Sequence, residues 1–287
     1  MRFQIQHHTE YFYDETVGFT PQWLRLHPRL DPWLLIKSYH LQVFPSGTIH
    51  WTRDADGNAA AKFFTMEQSR QLCVNVEMEI ENTQESPFDF LLDTHAVTLP
   101  FEYSPVERQV LSTFLKSPSN STLRDWIQEC SLEASGETVT FLTHASQFLH
   151  RAIQYQIRDE PGIQTPEETV EKKSGSCRDY AVLFNSLCGF WGLAARFVSG
   201  YLCSSQHDPE HEQGAHALHA WSEVYLPGAG WKGIDPTNGV WCGNHYVPLA
   251  ASVEPAETAA ITGTYCSHHP VQARMTSSLC IKNATAK

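Results

Sequence analysis

The sequence predicts an α+β protein: an antiparallel β-sandwich, then a core in which a helix bearing a cysteine packs on an antiparallel sheet. Three observations lead there. Short runs of alternating apolar and polar residues, broken by turn residues, fill roughly the first 85 positions. Helical spacing takes over between 105 and 153 and returns at 177–191. Two alternating runs then flank the tight turn Pro227-Gly-Ala-Gly230, which is the pattern of a hairpin.

The chain of 287 residues is long enough to bury a large core, and 41% hydrophobic with 11% aromatic content is that of a globular protein. A net charge of −12 and the lack of a dense basic stripe speak against a nucleic-acid partner or an anionic membrane surface. No apolar run is long enough to span a bilayer, and the first residues lack the apolar centre of a signal peptide. Eight scattered cysteines without CxxC spacing read as reduced thiols, which makes the cytoplasm the expected compartment.

In order, Phe3, Ile5 and His7 alternate with polar neighbours, and Tyr11-Phe12-Tyr13 resumes after a break. Leu24 and Leu26, then Tyr39, Leu41 and Val43, repeat the period of two until Pro45-Ser-Gly47 ends the run. Asp54-Ala-Asp-Gly57-Asn58 is a turn between two short strands, and Leu72 to Ile80 is the cleanest strand of all. These elements make residues 1–85 a β-sandwich domain. Residues 86–104 form a proline-marked linker too rich in Phe and Leu to float free. Ser104-Pro105-Val-Glu107 opens the helical part with a cap and a first-position proline. Helical patterns follow over 123–132 and 137–153, a short strand at 155–157, and a capped helix start at Thr165-Pro-Glu-Glu168. Ala195 to Leu202 is a strand, and 204–216 is a polar loop ahead of the hairpin. The catalytic core is expected over 105–250, with 251–287 a weakly patterned segment ending in a strand near Leu279-Cys-Ile281.

Chemistry concentrates in three places. Cys177 follows Gly175-Ser176 and precedes Ala181, Leu183, Phe184, Leu187, Cys188 and Trp191 at helical spacing, so it lies at a helix N-terminus. Free N–H groups and the positive end of the dipole there favour a thiolate and can hold an oxyanion. His219 stands on one strand of the hairpin and Asp235 on the other, close enough in register for a hydrogen bond. A cysteine nucleophile, a histidine that takes and returns its proton, and a carboxylate that orients the ring make a complete set for acyl transfer.

Four blocks carry a resemblance: Gly175-Ser-Cys177-Arg-Asp179-Tyr-Ala, Ala195-Arg-Phe-Val-Ser-Gly-Tyr201, His219-Ala-Trp221-Ser-Glu223-Val-Tyr and Gly230-Trp-Lys-Gly-Ile-Asp235-Pro-Thr-Asn238-Gly. In order and spacing, over about 140–250, they resemble the bacterial transglutaminase-like superfamily. The stretch with His8-Thr-Glu-Tyr11, Leu24-Arg-Leu-His-Pro28 and Gly57-Asn58 is similar to the β-domain that often precedes this core in bacterial members. The resemblance implies a papain-like α+β core with Cys177 as nucleophile, His219 as base and Asp235 as orienter. It implies a thioester acyl-enzyme formed on a peptide or protein amide and released to water or to an amine. Hydrolysis is the preferred reading; a protein-glutamine acyltransferase and a non-catalytic binding module on the same fold are the alternatives. The Cys177 backbone N–H is one oxyanion donor, and Gln154 or Tyr155 is a candidate for the second.

Other residues have plainer readings. Asp179, one turn into the helix, is a cap. Trp221 and Trp231 are candidates for the site's wall or for packing beneath it. His207, His211, His216 and His219 have spacings that raise zinc, as do Cys242 and His245, but no four-ligand motif is complete. No metal or other cofactor is expected, and no calcium-loop pattern is present.

Overall fold

The computed structural model describes residues 1–131, 136–158, 162–203 and 218–284, and the proposed histidine loop at 204–216 lies outside them. Six strands open the chain: β1 (Arg2–Phe19), β2 (Gln22–Leu24), β3 (Leu34–Phe44), β4 (Thr48–Arg53), β5 (Ala59–Phe64) and β6 (Ser69–Asn82). The Tyr11–Tyr13 region is not a new strand. β1 runs straight through it, and the irregularity is a register shift against β6 between Phe12 and Val17. Alternation along β1 and β6 buries Phe3, Ile5, Val74, Val76, Met78 and Ile80 on one face, which explains their period of two.

Three helices follow: α1 (Pro105–Val110), α2 (Ser121–Ser131) and α3 (Thr138–Ala152). The cap expected at Ser104 is present, with Glu107 closing the reciprocal bond. The short strand β7 (Gln154–Tyr155) leads to α4 (Pro166–Lys172), β8 (Ser174–Gly175) and the cysteine helix α5 (Cys177–Phe190). A five-stranded antiparallel sheet comes next, from β9 (Ala195–Leu202), β10 (His219–Leu226), β11 (Gly230–Asp235), β12 (Val240–Trp241) and β13 (Tyr246–Ser252), in the order β12-β11-β10-β9-β13. Helix α5 lies on this sheet. Ala181 packs with Phe197 and Ala220, and Ser222 donates its hydroxyl to the Ala181 carbonyl at 3.1 Å. The linker is pressed against the same body, with Phe90, Leu92, Leu99 and Phe101 on the helical cluster.

The end of the chain returns to its beginning. β14 (Ile261–Thr262) pairs with β2, and β15 (Tyr265–Cys266) pairs with the end of β1. β16 (Ala273–Asn283) pairs with β1 from Phe3↔Asn283 to Tyr13↔Ala273. The opening and closing segments therefore share two antiparallel sheets, ordered β15-β1-β6-β3 with β16 on β1, and β14-β2-β5-β4.

These sheets dock on the core through a shared cluster in which Tyr201, Val247 and Leu249 join Ile5, Val76 and Ile80. The free edge of β13 is closed from the other side. The Asn58 amide donates to the Ala251 carbonyl at 3.0 Å and accepts from the Ala251 N–H at 2.8 Å, imitating a strand. The Asp54–Asn58 turn thus also joins the two parts. No helix among the described residues is long and apolar enough to cross a membrane.

Candidate active site

Cys177 is the first residue of α5, half-buried, and Ser176 before it is the cap. The hairpin turn puts Ser222 opposite Ile234, so the strand start at His219 and the strand end at Asp235 meet at one end of the sheet. There His219 Nε2 bonds Asp235 Oδ2 at 2.8 Å, with His219 at 1% and Asp235 at 0% exposure. The other ring nitrogen, Nδ1, is buried and makes no fully formed hydrogen bond among the described residues. The Cys177 sulfur nevertheless acts on the ring, both as a side-chain hydrogen-bond partner and as a charge. A loose contact of this kind is ordinary for a nucleophile and base without substrate.

The electrostatics favour an imidazolium. Burial alone would lower the His219 pKa, but the charge and hydrogen bond of Asp235, followed by those of Cys177, outweigh it and raise the value well above 6.5. Burial alone would raise the Asp235 pKa, and the charge and hydrogen bond of His219, with donors from Tyr246 and Asn238, lower it instead.

Asp235 is unusually well held. Oδ2 accepts from the Tyr246 hydroxyl at 2.8 Å and from Asn238 Nδ2 at 2.7 Å. Oδ1 accepts from the backbone N–H of Thr237 at 2.9 Å and of Asn238 at 3.3 Å. Helix α3 secures this turn, with the His150 ring donating Nδ1–H to the Thr237 carbonyl at 2.7 Å. The turn itself was legible, since Asp-Pro-Thr-Asn is a sequence whose carboxylate caps its own backbone two residues on. Tyr246 was not, because nothing local marks a tyrosine on β13 as a neighbour of Asp235.

Trp221 lies fully buried under the site. Its ring stacks near His219 with centroids 6.3 Å apart at 28°, and Tyr246 meets its edge at 5.3 Å. A Cβ on Gly200, opposite His219 in the sheet, would come within 2.5 Å of that indole and 2.2 Å of the Val247 carbonyl oxygen, so only glycine fits there. Trp231 does not join the site. It sits at the far end of β11 from Asp235, about 13 Å of strand away at 3.3 Å per residue. There it packs between Phe114 and Tyr225 with the Arg196 guanidinium 4.1 Å over its ring.

β7 pairs in parallel with β8, setting Tyr155 beside Gly175. Burial, with the charges of Cys177 and Asp235, pushes the Tyr155 phenol up to about 12, which keeps it a protonated donor beside the thiol. Gln154, its strand neighbour, is exposed, as alternation along a strand requires. The His245 ring donates to the Cys203 carbonyl, and burial holds the Cys242 thiol well above its ordinary range. Among the described residues, no group of three or more His, Cys, Asp or Glu is placed to hold a metal ion.

Comparison with known proteins bears on the fold. The family model for the transglutaminase-like superfamily matches residues 124–236, and that for the bacterial transglutaminase-like N-terminal region matches residues 3–81. Uncharacterized proteins of Mycobacterium bovis and Mycobacterium tuberculosis are 23% identical over 274 residues, covering 91% of this chain and 87% of theirs. The crystal structure of a proposed cysteine protease from Cytophaga hutchinsonii has the same fold, with a TM-score of 0.74 at 16% identity over 100% of this chain and 92% of that one. The chain is thus a bacterial transglutaminase-like N-terminal region followed by a core of the transglutaminase-like superfamily.

Proposed function

We propose that this chain is a cysteine-dependent amide or peptide hydrolase that works through Cys177, His219 and Asp235. One observation carries the reading. A buried histidine is held through one nitrogen by a buried carboxylate, its other nitrogen makes no hydrogen bond among the described residues, and the ring interacts with a half-buried cysteine at a helix N-terminus.

Asp235 holds the proton on Nε2, so Nδ1 takes the proton of the Cys177 thiol and an ion pair forms. The thiolate attacks the amide carbonyl, and the carbonyl electron pair moves onto oxygen. The Cys177 backbone N–H and the Tyr155 hydroxyl are the proposed donors to that oxyanion; Gln154 points away from this role. The His219 imidazolium returns its proton to the leaving nitrogen as the C–N bond breaks, leaving a thioester. Water, losing its proton to His219, attacks the thioester and releases the acid and the free thiol.

The test is alkylation of Cys177 by iodoacetamide across pH, followed at the level of the peptide, beside amide cleavage by the wild type and Cys177→Ala. Preferential labelling of Cys177 below the pH at which the exposed Cys266 and Cys280 react, with cleavage lost in the variant, supports the reading. Labelling no faster than those thiols, with cleavage intact in Cys177→Ala, overturns it. A primary amine in the same assay reads the acceptor: incorporation at the expense of the acid product would make the chain a transferase.

A further inference from the structure

Two residues past the nucleophile, Asp179 is fully buried and gathers three separate segments. Arg158 Nη1 donates to both carboxylate oxygens at 2.9 and 2.8 Å. The Gln164 N–H donates to Oδ1 at 2.7 Å, and Gln164 Nε2 reaches Oδ2 at 3.3 Å. The Ser176 N–H and hydroxyl donate to Oδ2 at 2.7 and 2.9 Å. Arg178 adds a fourth tie, its guanidinium donating to the Arg158 carbonyl at 3.1 Å. An ordinary helix cap uses the Ser176 contacts alone. Here the same carboxylate also holds the end of the β7 segment and the entry to α4.

The backbone has been shaped around this arrangement. A Cβ on Gly175 would come within 2.8 Å of the Asp179 Cβ and 3.3 Å of both Asp179 Oδ2 and Gln164 Nε2. The glycine of Gly175-Ser-Cys177 is therefore a clearance for the Asp179 side chain, and one motif encodes both nucleophile and pin. The β7 wall carries Tyr155, and Gly175 pairs with it, so whatever Asp179 holds also sets the distance between Tyr155 and Cys177.

We infer that Asp179 and Arg158 are positioning residues that lock the Tyr155 wall to the Cys177 turn and, as a neutral pair, screen the thiolate from a buried carboxylate two residues away. The roles rest on the proposed reading of Cys177 as nucleophile. The physical basis is that an unpaired charge in a dry site acts strongly on its neighbours, while a paired one acts weakly. His219 from β10 and Tyr155 from β7 interact with the thiol, Asp235 from β11 acts on both of them, and Arg178 from the cysteine's own helix acts on Tyr155. None of them changes in the variants below.

The test measures the pH of half-maximal iodoacetamide alkylation at Cys177 in the wild type, Arg158→Gln, Asp179→Asn, Arg158→Lys and the double variant Arg158→Gln/Asp179→Asn. Arg158→Gln leaves the carboxylate alone and moves that pH up by about one unit. Asp179→Asn removes the carboxylate but keeps the Arg158 cation and moves it down, and the double variant returns toward the wild type. Arg158→Lys keeps the charge and the wild-type profile, but lowers kcat with KM unchanged because an ammonium on a shorter stem, without the planar guanidinium, does not reach the place Nη1 holds between the two oxygens. Unchanged profiles in all variants, with only the melting temperature lowered, would reduce Asp179 to a structural cap and overturn the inference.

If Arg158→Gln does not fold, Arg158→Lys and the double variant, which bury no lone charge, decide. A lowered maximal alkylation rate at Cys177 supports the pin, and a wild-type rate overturns it. Alkylation needs no amide substrate, so the two readings fail separately. A wild type that cleaves nothing removes the hydrolase, whereas in an active wild type identical variant profiles remove only the screen, and identical maximal rates and kcat remove only the pin.

Discussion

Two buried histidines in this chain are driven in opposite directions. His7, on β1 at the joint with the core, is 5% exposed and bonds the Tyr201 hydroxyl at 3.0 Å and the Ser277 hydroxyl at 3.3 Å. Burial, with the charge of His8 beside it, lowers it to about 4, and it stays neutral. His219 is buried more deeply, yet its affinity for the proton rises. Both rings have hydroxyl or thiol neighbours, and only one has a carboxylate. Burial of a histidine is therefore neither a sign of catalysis nor against it; the partner's charge decides.

Removing the carboxylate should break the contrast. Asp235→Asn is expected to lower amide cleavage by about a thousandfold or more, because the ring loses both its orientation and its stabilised cation. The loss falls on kcat, measured with folding checked by circular dichroism. The same change leaves the donors of His219, Tyr246 and Asn238 less well paired and lowers stability by about 3 kcal/mol in denaturant titration.

The two histidines should also leave opposite marks on stability against pH. His219 is raised, so its contribution is complete below the ordinary value of 6.5 and is lost as pH rises through the higher folded value. His7 is lowered, so the folded state resists its protonation and stability falls as pH drops from 6.5 toward 4. Melting temperatures across pH should lose the alkaline fall in Asp235→Asn and part of the acid fall in His7→Phe. An identical profile in His7→Phe would mean that His7 titrates as an exposed group does. That variant should cost about 1–2 kcal/mol through the unpaired Tyr201 hydroxyl and leave amide cleavage unchanged.

The smallest effect sharpens the site itself. Tyr246→Phe removes one of the donors to Asp235 Oδ2 and should lower kcat about fivefold. A wild-type kcat would show that His219 and the Asp235 turn hold the carboxylate without it.

Much of this was readable along the chain because the signals are local. Ser104, Thr165 and Ser176 each precede an acidic residue by three, and each heads a helix in the structure. The alternations of β1 and β6 appear as period two because one face is buried. Cys177, His219 and Asp235 were legible for the same reason: a helix start and a tight hairpin bring them within range of simple geometry. Trp231 carried both a wall and a packing reading, and four residues of strand between it and the carboxylate leave it the packing one, against Phe114 and Tyr225.

By itself the sequence determined the opening strands and the helices after them, the position of the cysteine at a helix start and the hairpin that joins histidine to aspartate, but not β13. Each depends on neighbours a few residues apart, where backbone sterics, capping and turn chemistry dominate. Tertiary structure alone decided that β16 lies along β1, that Asn58 closes the edge of β13, that Tyr246 reaches Asp235 and that Arg158 meets Asp179. Those contacts join parts of the chain whose local patterns carry no address for one another. They form only when burying apolar faces brings the segments together and leaves each buried polar group to find a partner.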